Sequence, residues 1–287
     1  MIGQLLLNGT VSGLLLALPA LAVSLTFGIL KFPNFAVGGS LTLGAYAGWV
    51  FNTQLGFQIV GASLLAAATV ALVSVLLDVA VFGRLREQGS IALMVASMGV
   101  SLILENLCRF GFGNATRSLD VDVARPLRWA GLRISHEQIV TAAAVLGCLV
   151  LLHLVLRTTP LGRAMRAVAD NPTLAAARGI EREVIVRLTW AIIGLLTGLA
   201  GVLAAIDRAV EPLVGWSYQI PVFAAAILGG LGSPLGAVLG ALAVGLSEEL
   251  ATLVVPTSYR QAVSFAVILL LLLVRSQGLL GARAVRK

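Results

Sequence analysis

The sequence predicts an all-α polytopic membrane protein. Three observations carry that prediction. Of 287 residues, 59% are hydrophobic and only 11% are charged, against roughly a quarter charged in a soluble domain. The apolar residues fall in long runs, and about 20 residues suffice for a helix to cross the hydrocarbon core. The ten-residue alternation of a membrane barrel does not occur. The 31 glycines suit helices that pack closely in lipid.

The apolar runs are 5–30, 35–51, 57–82, 91–104, 138–156, 188–206, 221–253 and 259–274, about eight hydrophobic segments. The first follows "MIGQLLLNG", which has no basic n-region, so it reads as an uncleaved helix. Run 91–104 is short and is expected to extend to Cys108. The connections are small except 109–137 and 157–187. Run 221–253 has 33 residues, long for one span and short for two. Its middle, "AILGGLGSPLGAVLG", is full of helix breakers, and a broken or re-entrant segment is expected. Non-helical backbone at membrane depth survives only when buried in protein or lining a cavity. Gly229, Gly230 and Gly232, followed by Pro234, are therefore candidates for the translocation pathway. A fainter echo, "KFPNFAVGGSLTLGAYAG", adds Asn34, Phe35, Gly38 and Gly39. Matched interruptions in two halves point to a possible inverted repeat with a site between the halves.

Orientation follows the cations. Arg84 and Arg86 lie in the Gly83–Ser90 loop. Arg157, Arg163, Arg166, Arg178, Arg182 and Arg187 lie in or beside 157–187. Arg275, Arg283, Arg286 and Lys287 lie in the tail. All three regions are expected to be cytoplasmic. Counting back puts Lys31 inside, and 109–137 and the N-terminus outside. The tail agrees only if 221–253 does something other than cross once. The same pattern explains the net charge of +7 without a nucleic-acid partner.

Chemistry of its own is not evident in the chain. A Walker A motif needs Gly-Lys, but Lys31 follows Leu30 and Lys287 follows Arg286. His136 and His153 lack ligand spacing, and no metal site is expected. His136 sits where a helix starts. Cys108 and Cys148 lie forty residues apart and suggest no disulfide. No Gly-x-Ser-x-Gly or His-Glu-x-x-His is present, so the chain reads as a transporter subunit rather than an enzyme. Asp78, Glu105, Glu248 and Glu249 lie near span ends, where water is in reach. The functional alternative is a gate or inter-subunit pair at Glu248 and Glu249. Gly232, Gly236 and Gly240, like Gly194 and Gly198, are spaced to let helices approach.

The 157–187 loop is too structured for a linker. Thr159 with Pro160 is a helix start, an N-cap followed by proline at the first helical position. Leu161, Met165 and Val168 share one face. Asn171-Pro172 ends this helix and starts a second, "TLAAAR", which Gly179 stops. Two short capped helices could lie on anionic lipid, serve as a folded connector, or dock on a cytoplasmic protein.

"GRAMRAVADNPTLAAARGI" resembles the cytoplasmic loop of the branched-chain amino acid ABC-transporter permease family, the LivH type. "PNFAVGGSLTLGAYAG", "FAAAILGGLGSPLGAVLGALAVGLSEEL" and "YRQAVSFAVILLLLLVRSQGLLG" resemble further segments of that family, in order, over nearly the whole chain. Val37 departs from a common His, and Ser276-Gln277 departs from a Pro-containing pair. The resemblance implies a single transmembrane permease domain, 1–287, in the bacterial inner membrane. It implies a loop that couples to cytoplasmic ATPase subunits through Gly162, Arg163, Arg166, Ala167, Asp170, Gly179 and Ile180. It further implies a substrate-binding protein outside and a second related permease, as a heterodimer. ATP and Mg would be bound by partner subunits, with no cofactor in this chain. The expected cargo is a branched-chain or related amino acid. Alternatives are another small solute (urea, an amide, an aromatic acid), or an ion-coupled carrier acting alone.

Overall fold

The computed structural model describes residues 2–121, 126–129, 132–256, 259, 262–266, 269–270 and 278–280. Half of the predicted 259–274 span lies outside the described residues, as do Arg275, Ser276, Gln277, Arg283, Arg286 and Lys287.

The chain runs α1 (Ile2–Leu30), α2 (Ala36–Trp49), α3 (Ile59–Leu77), the short turn α4 (Gly83–Leu85) and α5 (Ser90–Phe112). After a small antiparallel hairpin, β1 (Leu127–Trp129) and β2 (Leu132–Ile134), come α6 (His136–Thr158), α7 (Pro160–Asp170) and α8 (Pro172–Ala177). Then follow α9 (Arg182–Asp207), α10 (Val214–Gly229) and α11 (Pro234–Ala251). π-Turns prolong α2 through Gln54 and α3 through Phe82. Among the described residues, six helical stretches are long and apolar enough to cross a membrane: Ile2–Leu30, Ile59–Gln88, Ser90–Phe112, His136–Thr158, Arg182–Asp207 and Pro234–Ala251.

α1 and α9 form the middle of the bundle. Their central residues are buried nearly all round, whereas α3, α5 and α6 expose apolar faces at Leu64, Leu72, Val95, Leu102, Leu146 and Val150. A soluble protein would not leave such continuous apolar faces bare; here they meet lipid or another subunit. In lipid, helices associate by van der Waals contact, so backbones must come close. Two glycine seams provide this. Gly9 and Gly13 of α1 lie on α11, where a methyl on Gly13 would come within 2.8 Å of the Leu242 Cα. Gly194 and Gly198 of α9 lie on α3 in the same way, a methyl on Gly198 coming within 2.8 Å of the Ala67 Cα.

These seams fix direction. Gly9 meets Gly245 and Leu246 while Gly28 meets Gly232, so α1 and α11 are antiparallel, with the Gly230–Ser233 turn level with the end of α1. The break in 221–253 falls where its glycines predicted, and it takes the form of a helical hairpin. Gly230 (φ 102°) and Gly232 (φ 89°) turn the chain in the left-handed region. The Ser233 hydroxyl accepts from the Gly236 amide at 3.2 Å, and Pro234 starts α11. α10 begins at Val214, seven residues before the apolar run, because Ser217, Tyr218 and Gln219 read as polar in sequence and are taken into the helix. Of the hairpin's two arms, Pro234–Ala251 is long and apolar enough to cross a membrane, and Val214–Gly229 is a shorter apolar helix. Beyond the hairpin, the amides of Leu279 and Leu280 donate to the carbonyls of Leu228 and Gly229 at 2.8 and 3.0 Å, so the chain returns to the α10–α11 turn, level with the end of α1.

Other expectations are corrected. The 91–104 run extends past Cys108, as α5 reaches Phe112. Part of the 109–137 connection is the β-hairpin, held to the start of α1 because Gln4 exchanges two 2.9 Å hydrogen bonds with the Arg133 backbone. The four acids near span ends do not simply reach water: Asp78, Glu105, Glu248 and Glu249 are all buried. Asp78 is paired with Arg86, which the π-turn brings back over it.

Candidate functional site

Two regions hold the residues singled out in the sequence. The first is the α7–α8 pair. The Thr159 hydroxyl accepts from the Gly162 amide at 3.3 Å and Pro160 opens α7. The Asn171 side chain accepts from the Leu174 amide at 3.0 Å and Pro172 opens α8. Gly179, at φ 80°, ends it. Met165, Val168 and Ala175 are buried with Ile185 against Ile29, Leu156, Leu161 and Ile192. The apolar face of α7 is thus used up on the ends of α1, α6 and α9 and is not free for a partner.

The structure divides the coupling candidates. Gly162 is buried so tightly that a Cβ would sit inside the Leu156 carbonyl. Arg166 donates to that same carbonyl and closes the C-terminal end of α6. Ala167 and Ile180 are half-buried against the cluster beneath. Arg163, Asp170 and Gly179 face outward, and Arg166 is exposed as well. Leu174, 60% exposed, and Arg178 join them and were not singled out in the sequence. The signal for Leu174 was present: a large apolar residue on a helix otherwise made of Pro, Thr and Ala.

The second region is a crossing of two short helices inside the bundle. The Phe35 amide, just before α2, donates at 3.0 Å to Ser97. Ser97 lies seven residues into α5, about 10 Å from its start. So α2 begins at membrane depth rather than at the surface, after irregular backbone at 31–35 in which Phe32 and Asn34 are each 1% exposed. The first amides of α2 are satisfied by side chains, as burial requires: Asn34 Oδ1 accepts from Ala36 N at 3.0 Å and Ser101 Oγ from Gly39 N at 2.8 Å. α10 crosses α2 antiparallel. Phe35 stacks on Phe223 at 4.4 Å, Gln219 Nε2 donates to the Phe35 carbonyl at 3.3 Å, and Gly215 N donates to Thr42 Oγ1 at 3.0 Å. The irregular segments before α2 and α10 carry the two described non-glycine residues at positive φ, Lys31 and Ala209. The two halves therefore each send a short helix into the middle from opposite sides.

Asn34, Phe35, Gly38 and Gly39 meet at this crossing. Gly38 packs on Gln219, where a methyl would come within 2.6 Å of Oε1, and Gly39 packs on Ser101. Gly229, Gly230 and Gly232 are not with them; they form the α10–α11 turn, level with the end of α1. Gly229 is closed in by Gly236 and Gly240. Thr42, Ser97, Ser101, Gln219 and Phe223 complete the crossing and were missed. Polar residues inside apolar runs were the signal for Thr42, Ser97 and Ser101. Gln219 Oε1 is buried with no hydrogen-bond partner. Glu248 and Glu249 sit near the other end of α11, with Ser264 donating to Glu248 and Gly9 packed on Glu249. Cys108 and Cys148 are free thiols, and no metal-binding cluster occurs among the described residues.

Residues 5–272 match the family described as branched-chain amino acid transport system / permease component. The chain is 29% identical to the high-affinity branched-chain amino acid transport system permease protein LivH of Escherichia coli K12, covering 99% of this chain and 97% of that one. It is 29% identical, at the same coverage, to the permease protein BraD of Pseudomonas aeruginosa. It is 28% identical to the probable LivH of Methanocaldococcus jannaschii over 93% of this chain and 89% of that one. With its many apolar helices and a match along almost all of its length, the chain belongs to the family of branched-chain amino acid transport permeases, multi-pass proteins of the inner membrane.

Proposed function

We propose that the chain forms, with a second related permease, the translocation pathway of an ABC importer for branched-chain or related amino acids. The names of LivH and BraD support that cargo. One observation carries the mechanism: α7–α8 is capped at both starts and seated on α1, α6 and α9, yet presents Arg163, Asp170, Leu174, Arg178 and Gly179 outward. A rigid pair with a free outer face suits docking on separate cytoplasmic ATPase subunits, which would bind ATP and Mg. A substrate-binding protein would deliver cargo outside. Force on α7–α8 would reach α6 directly through Gly162 and Arg166, and α1 and α9 through Met165 and Val168. The half-buried rings of Phe35 and Phe223 would face the path. Asn34, Gly38 and Gly39 would position α2 behind them, and Gly229, Gly230 and Gly232 would form a pivot at the cytoplasmic end. Glu248 and Glu249 would work at the opposite end, as a gate or a contact between permeases.

The test is co-purification with the ATPase subunits, wild type against Leu174→Asp with Arg178→Glu. Both positions are exposed, so the bundle stays folded. The expected result is retention in wild type and a loss of about tenfold or more in the variant, the size set by removing a docking anchor. Equal retention would place docking elsewhere. Failure of wild type to retain any ATPase would favour a carrier acting alone. Uptake of leucine in competition with urea, amides and aromatic acids would then identify the cargo.

A further inference from the structure

A pocket opens where α1, α5, α7, α8 and α9 converge at the cytoplasmic end. Ile29, Leu30, Lys31, Arg86, Ser90, Leu93, Val168, Ala169, Pro172 and Arg182 line it. Three of these are cations and none is an acid. Arg86 is already paired with Asp78. Lys31 and Arg182 have no ion pair among the described residues, so the pocket keeps an excess of positive charge. Glu87, Asp170 and Glu181 lie next to lining residues in the chain but do not line it themselves. Two helices start at its wall, α5 at Ser90 and α9 at Arg182, and neither start has a side-chain cap. Their first amides add partial positive charge. Lys31 itself stands at φ 60°, a left-handed conformation disfavoured for a lysine. Residues held in such conformations cluster at functional sites.

We propose that this pocket binds a phosphate group, carried by the headgroup of an anionic phospholipid of the inner leaflet. Three features favour the lipid. The pocket lies where helix ends meet the membrane surface. Its inner wall is apolar, at Ile29, Leu30, Leu93 and Val168. Ile91, beside Ser90, is 74% exposed on the outside of α5, where an acyl chain would lie. Basic pockets between helices on the cytoplasmic side recognise such headgroups. Because Val168, Ala169 and Pro172 belong to the pocket, the bound headgroup would brace the proposed coupling pair against α1, α5 and α9. The inference needs only the cytoplasmic placement of this end and stands apart from which solute is carried.

The experiment is native mass spectrometry of the full-length detergent-solubilised protein titrated with short-chain phosphatidylglycerol. Diacylglycerol serves as the phosphate-free control, and inorganic phosphate and glycerol phosphate serve as soluble competitors. Lys31→Gln with Arg182→Gln should weaken binding of one phosphatidylglycerol about tenfold or more. Arg84→Gln with Arg157→Gln removes the same charge from the same side outside the pocket and should leave binding within about twofold. Lys31→Arg with Arg182→Lys should restore it, which separates loss of the site from loss of the fold. Lipid binding that resists soluble phosphate supports the headgroup. Displacement by soluble phosphate, sensitive to the same two residues, keeps the phosphate site and assigns it a soluble ligand. Equal weakening in both charge-removing pairs, or none in either, overturns the proposal. So does a pocket variant that still binds lipid but sheds the ATPase subunits, because the pocket would then receive an acidic side chain from a protein partner.

Discussion

The α7–α8 pair and the α2–α10 crossing are both short helices, yet they are held by opposite means. α7 and α8 are defined by their own ends: Thr159 and Asn171 cap, Pro160 and Pro172 start, Gly179 stops. Only one face is then added to the bundle. The crossing has no such ends. Neither Phe35 nor Leu213 caps its helix with its side chain; beyond the local Asn34 bond to Ala36, the first amides are satisfied from elsewhere, by Ser97 and Ser101 of α5 for Phe35 and Gly39 and by Thr42 for Gly215. The first design tolerates motion as a unit, because its contacts are few and its outer face is free. The second holds the middle of the bundle fixed, because each backbone depends on the other. The proposed coupling element would need the first design, and a fixed point for it to act against would need the second.

The largest effect should come from breaking the close approach at the crossing. In Gly215→Ala the new Cβ would sit inside the Gly38 carbonyl, and backbone on both sides leaves little room to yield. Destabilisation of about 1–3 kcal/mol or more is expected, the cost of overpacking, and a lowered Tm of the purified protein would register it. Gly147→Ala on α6 is the control, since nothing lies within 4 Å of its added Cβ. It should leave the Tm unchanged or slightly raised. Equal losses would mean that helix propensity, and not contact, governs both sites.

Next comes the joint between α6 and α7. Gly162→Ala drives a methyl into the Leu156 carbonyl that Arg166 also uses. Faster hydrogen exchange in α7 and weaker ATPase retention are expected, with the exchange of α10 and α11 unchanged. If the whole bundle loosened, α7 would be part of the core and not a separately seated element.

The smallest effect belongs to the caps. Thr159→Ala and Asn171→Ala should each cost about 1 kcal/mol locally. That corresponds to exchange about fivefold faster in α7 or α8 alone. No change would mean that the packing of Met165, Val168 and Ala175 holds the pair without its caps.

Legibility followed the same division. The caps, the amphipathic face and the stop of α7–α8 were readable residue by residue, because each acts over three or four positions of chain. The Gly-rich break near 230 was readable as a break, since positive φ at Gly230 and Gly232 is a local demand. Its form as a helical hairpin was not. Neither was the start of α10 at Val214, where Ser217 and Gln219 look like the edge of a loop until α2 is packed against them. What Gly162 and Arg166 touch was not readable for a related reason: both meet one carbonyl of the preceding helix, and a sequence does not show which atoms lie a few ångströms away.

By itself, then, the sequence determined the solvent, the helices and the two capped helices, because hydropathy and capping are properties of short stretches. Only the tertiary structure decided that two short helices cross at membrane depth, that the acids near span ends are buried, and that Lys31 and Arg182 share a pocket. Those features depend on residues far apart in the chain meeting backbone to backbone. In lipid, that approach is settled by shape and by which polar groups are left to satisfy.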